Sequence, residues 1–152
     1  MIPTETILAA LEAYLTATGL FDRVSRHHAA DLPAALEALR DPSRKLCFIV
    51  PAADTWEHAL LDPGNMPLRS ELRCAVQLLI TSQSVAYATT GDPATLPLKD
   101  HLLAALLWDN LSHPGLLTLP QTCEPLRIEW DDAPARTAWQ LTIEIRQTIA
   151  AP

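Results

Sequence analysis

Apolar residues recur in this chain at two periods, and the alternation between those periods predicts its elements. Ile7, Leu8, Leu11, Tyr14 and Leu15 repeat every three or four residues, which predicts an amphipathic helix from Glu5 to Thr18. Thr4 stands where an N-cap belongs, and Gly19 can end the helix in a left-handed conformation. Leu20 to Arg26 reads as a short strand. Asp31 then caps a brief second helix in which Leu32, Leu36 and Leu39 share a face, with Pro33 in the tolerant first turn.

Leu46 to Val50 is an unbroken apolar run stopped by Pro51, the pattern of a strand buried on both faces. From Ala52 to Pro67 the period disappears. This stretch, with Asp62-Pro63-Gly64 and Trp56, reads as a long loop, and a loop of that length in a small domain is usually functional or mobile. Leu68 to Ile80 alternates cleanly: Leu68, Leu72, Cys74, Val76, Leu78 and Ile80 on one side, Arg69, Glu71, Arg73 and Gln77 on the other. Ser82 to Thr95 is a polar connection. Leu98, Leu102, Leu103, Leu106 and Leu107 then give a wide stripe for a helix from Leu96 to Asn110. After a turn-rich stretch, His113 to Pro120, a strand is expected at Leu126 to Trp130. Asp131 to Pro134 turns the chain into a last strand, Arg136 to Ile149, with Trp139, Leu141, Ile143 and Ile145 facing inward.

Strands that follow one another through loops imply a mostly antiparallel sheet. The expected fold is a single α+β domain, residues 1–152, with four to five strands and two to three helices packed on one face. A chain of 152 residues buries roughly 70% of its unfolded surface, enough for one core without covalent staples.

Charge narrows the function. The formal net charge is −7, with 18 carboxylates against 11 lysines and arginines, whereas a protein that grips phosphates displaces counterions with a cationic surface. Specific nucleic-acid binding is therefore not expected. No apolar run reaches the ~20 residues that cross a bilayer, and Met1 to Thr6 has no basic residue before its first apolar stretch, unlike a signal peptide. A soluble intracellular protein without a membrane partner is the expectation. Cys47, Cys74 and Cys123 are too few and too far apart for a disulfide framework or a paired-cysteine metal site.

Candidate chemistry is sparse. His27 and His28 are adjacent, so on a strand they point to opposite faces. Asp54 and His58 could hold a cation weakly if they lay one helical turn apart, but a solvated loop is the favoured reading. Asp131 and Asp132 resemble a catalytic carboxylate pair, but beside Pro134 they read as turn residues. With four glycines a backbone cradle for phosphate is hard to build, and no nucleophile elbow or zinc-protease motif occurs. The expectation is a protein that is not an enzyme and takes no metal or cofactor.

The order of elements carries a resemblance. The helix ILAALEAYLTATGL is followed by DRVSRH, the short DLPAALEAL helix and the proline-stopped strand KLCFIVPAAD. The long strand LRSELRCAVQLLI, the helix LKDHLLAALLW and the closing hairpin EPLRIEWDD…TAWQLTIEIR complete it. Along its whole length the chain resembles the phage tail terminator, or tail completion, proteins, including those of Mu-type phages. VPAAD, the basic strand start from Arg69 to Arg73, and the closing hairpin are the most similar segments. The resemblance implies a virion protein of the tail or neck, assembled in the host cytoplasm. It would form a homo-oligomeric ring, hexameric in that family, that caps the tail tube protein, stops polymerisation and meets the head–tail connector protein. On this reading Trp56, Arg69 and Arg73 are the candidate interface residues. The alternatives are another neck or tail assembly component, or a small-ligand binding module.

Overall fold

The computed structural model describes residues 1–28, 30–40, 45–60, 67–81, 95–133 and 135–150. The elements run α1 (Thr4–Ala17), β1 (Arg23–Arg26), α2 (Leu32–Leu36) with a 3-10 turn over Glu37–Arg40, β2 (Leu46–Leu60), β3 (Pro67–Thr81), α3 (Thr95–Leu106), β4 (Leu116–Ile128) and β5 (Arg136–Ala150). Five strands form one sheet in the order β1-β2-β3-β5-β4. Only the β1–β2 pair is parallel. The fold is α+β with a mostly antiparallel sheet, as the strand pattern predicts.

Alternation along β3 and β5 decides where the core sits. Leu72, Cys74, Val76, Leu78 and Ile80 share a face with Trp139, Leu141, Ile143 and Ile145, and all are buried. Ile7, Leu8, Leu11 and Leu15 of α1 close over this face together with Leu102 and Leu106 of α3. Tyr14 ties the two helices, its hydroxyl donating to the Ala105 carbonyl at 2.7 Å. The opposite face carries a smaller cluster at one end, where Leu46, Phe48, Leu79, Ile128 and Ala138 pack with Ala35 and Leu36 of α2. The two long helices thus share one side, while short α2 covers part of the other.

The structure departs from the pattern where backbone pairing and burial separate. The N-cap of α1 is Pro3, with no side-chain cap; Thr4 is already helical, and its hydroxyl donates instead to Asp54 Oδ2 at 3.2 Å. Asp31 caps α2 by position alone, without a side-chain hydrogen bond. Gly19 does take a left-handed conformation, φ +68°. Leu20 and Phe21 precede the strand and pack against the core.

Two loops expected from the sequence are strands. β2 continues through Ala52 to Leu60, paired with β3, after a register shift between Pro51 and Asp54. The shift breaks the period, and residues 52 to 57 are exposed, so no apolar alternation marks the strand. Residues 61–66, with Asp62-Pro63-Gly64, lie outside the described residues, as do 82–94 of the polar connection. β4 likewise begins at Leu116 and runs through Pro120 and Pro125. It lies at the edge of the sheet, where a proline nitrogen facing outward loses no ladder bond. The helix of the leucine stripe stops at Leu106, and Leu107 is 51% exposed.

Candidate assembly surface

β1 pairs with only the first four residues of β2, Leu46 to Ile49. Beyond Pro51 the outer edge of β2 has no strand neighbour among the described residues, while its inner edge pairs with β3 as far as Leu60↔Pro67. β4 begins opposite Gln147, yet β3 and β5 stay paired out to Arg69↔Ala150. The β2–β3–β5 end therefore extends past β4 as an arm. An open strand edge is a ready template for another chain, and proteins that keep one cover or blunt it.

Trp56 sits at the base of this arm, level with Leu116 of β4, and is 49% exposed. It is the register partner of Leu72, so it lies on the helix-bearing face. Arg73 falls between Leu72 and Cys74, both of which face the helices, and therefore projects from the other face. The structure does not bring these two candidate residues into one patch. Arg69 pairs through its backbone with Ala59 and Ala150, which places it near the tip of the arm.

Arg73 is already engaged. It stands directly opposite Arg146 in the β3–β5 register, an arrangement of like charges that costs stability unless carboxylates interleave. They do: Arg73 binds Glu71 at 2.7 Å and also Glu57, while Arg146 binds Glu144 and lies 3.6 Å from Glu71. The hydrogen bond Arg73 donates to Glu71, then the field of Glu57 and its neighbours, pushes the Arg73 pKa further up. Three carboxylates and two guanidinium groups thus interleave in one lattice on this sheet face.

The other lateral side of the sheet carries a second exposed aromatic, which sequence reasoning missed. Leu107 and Trp108, the latter 66% exposed, follow α3 directly. Trp108 has φ +64°, and Leu111 and Ser112 are also left-handed. The cause is β4. Trp108 N–H donates to the Thr118 carbonyl at 3.1 Å, Thr118 N–H donates to Asp109 O at 2.8 Å, and the buried Thr118 hydroxyl reaches the Leu106 carbonyl. These bonds pull the backbone off the helix and turn Trp108 outward. No local signal in the sequence distinguishes it from one more residue on the stripe.

The remaining candidate chemistry is dispersed. A cleft of roughly 440 Å³ between α1 and β1 is lined by Glu5, Glu12, Ser25, Arg26, His27 and His28. Arg26 fills its centre of charge, bound to Glu5 and at 2.6 Å to Glu12. Ser25 Oγ lies 2.8 Å from His27 Nε2, but the two are two residues apart, on and just past the end of β1, and the His27 ring also makes a T-shaped contact with Phe48. Asp54 and His58 lie on strand β2, not a helical turn; four residues of strand span about 13 Å, too far to share one ion. Asp132 pairs with Arg40 at 2.9 Å, and that hydrogen bond holds its carboxyl below the usual range. Among the described residues no three metal-ligating side chains converge, and no helix is long and apolar enough to cross a membrane. The chain matches no protein-family model and no curated sequence.

Proposed function

We propose that this chain is an assembly subunit of the phage tail terminator kind. It joins copies of itself in a ring on the end of the tail tube, ends tube polymerisation and presents a surface to the head–tail connector. It acts without catalysis, in the virion. The observation that carries this reading is the outer edge of β2 past Pro51, which meets no strand among the described residues and bears the half-exposed Trp56. A projecting strand edge beside a large aromatic suits a contact that forms only in an assembly. The order of elements that resembles the terminator family adds to it. A net charge of −7 suits a collar through which DNA slides without being gripped.

The decisive experiment deletes the gene in its phage and images the lysate by electron microscopy. The expected result is overlong tails, or tails unjoined to heads, alongside normal filled heads. Tails of normal length on their heads would overturn the reading. At the level of the residue, Trp56→Ala should weaken binding to tube ends while leaving Tm nearly unchanged.

A further inference from the structure

We infer that the Leu107–Trp108 knob of one copy seats on the β2 arm, around Trp56, of the next copy, joining subunits head to tail. The inference rests on the assembly reading above and names the contact that reading needs.

The geometry places the two halves at one level on opposite flanks. Trp108 bonds through its backbone to Thr118, and the register runs from Thr118 across Ile145 and Cys74 to Asp54, two residues before Trp56. Three interstrand spacings separate β4 from β2, about 14 Å, so the knob and Trp56 do not meet within one chain. Both lie toward the helix-bearing side, since Trp56 pairs with Leu72 and the knob continues α3. A second copy set alongside in the same orientation therefore brings its knob level with Trp56.

Strand-to-strand joining is blocked along the part of β4 beside the knob. The N–H and C=O of Thr118 are taken by Asp109 and Trp108, and Pro120 and Pro125 supply no N–H. Here the joint is made by side chains, and among the described residues Leu107 and Trp108 are the large apolar ones exposed there. A two-fold contact through either patch would cover one and leave the other in water. A heterologous contact uses both, once in every subunit, and is the kind that closes into rings. The backbone bonds to Thr118 hold Trp108 outward before the partner arrives, as an anchor residue requires.

The test places the photo-crosslinker p-benzoylphenylalanine at Trp108 in the full chain, mixed with an isotopically heavy copy, alone and on tubes purified from the phage. Light-to-heavy crosslinks within residues 54–60 are expected. Trp108→Ser should weaken self-association at least about tenfold with Tm unchanged. Crosslinks to residues 107–109 of the second copy, to the tube protein, or to no second copy would overturn the contact. If rings still cap tubes while the crosslinks fall elsewhere, this contact is wrong and the terminator reading stands. If the chain neither self-associates nor binds tubes, both fall.

Discussion

Gln147 on β5 holds the backbone of Ile2 with both ends of its side-chain amide: Nε2 donates to the Ile2 carbonyl at 3.0 Å, and Oε1 accepts from the Ile2 N–H. The side chain is 4% exposed, so its polar atoms require these partners. The pair fixes the chain immediately before α1 to the far end of the sheet. Gln147→Leu keeps the volume but orphans two backbone groups, and should cost about 1–3 kcal/mol. Urea denaturation measures the loss, and hydrogen exchange at the Ile2 amide should accelerate in parallel.

Two leucine-stripe and core positions should separate sharply. Ile143 is fully buried beneath the helices, whereas Leu107 is 51% exposed. Ile143→Ala should cost about 2–5 kcal/mol through lost contacts and a cavity. Leu107→Ala should stay within about 0.5 kcal/mol in the isolated subunit. Equal effects in thermal denaturation would contradict the end of α3 at Leu106.

The thiols should be nearly inert in the native state. Burial pushes Cys47 far above the ordinary thiol range and Cys74 up to about 11, with Asp54 adding to the latter. Ellman's reagent at pH 8 should titrate at most Cys123, the half-buried thiol, and all three after guanidinium unfolding. The sign follows from the raised folded values. Stability tied to the neutral thiols is fully present below the unfolded pKa and falls as pH rises through 11, where the Cys74 thiolate is forced into the core. A stability profile flat to pH 12 would contradict this.

Ser112 is exposed with φ +60°, a conformation that costs residues with a Cβ about 1–2 kcal/mol. Ser112→Gly removes that cost and makes the unfolded chain more flexible, which offsets part of the gain. The net expectation is a stabilisation of up to about 1 kcal/mol, or a Tm rise of roughly 2–4 °C. Calorimetry reads it directly, and a fall in Tm would argue against the left-handed turn.

Elements buried on one face or both were legible from the sequence. Helix α1 and strands β3 and β5 each write their burial as a period of apolar residues, because the hydrophobic effect rewards a face that is continuously covered, and the inner run of β2, buried on both faces, writes it as an unbroken apolar run. The α+β class and the antiparallel pairing followed from their order. The candidate site was only partly legible: Trp56 stood out as an aromatic in a stretch without a period, but that stretch is a strand, and Arg73 lies on the opposite face within a lattice of carboxylates.

The edges of the sheet were decided by tertiary structure alone. The outer half of β2 and the proline-bearing β4 are held by backbone hydrogen bonds with little burial, and a backbone bond leaves no trace in side-chain identity. The same holds for Trp108, turned outward by Thr118, ten residues farther along. It holds again for Ile2 and Gln147, whose partnership spans 145 positions. Periodicity records which face meets the core. Which backbone groups find one another across the sheet depends on where distant segments come to rest, and only the packed fold decides that.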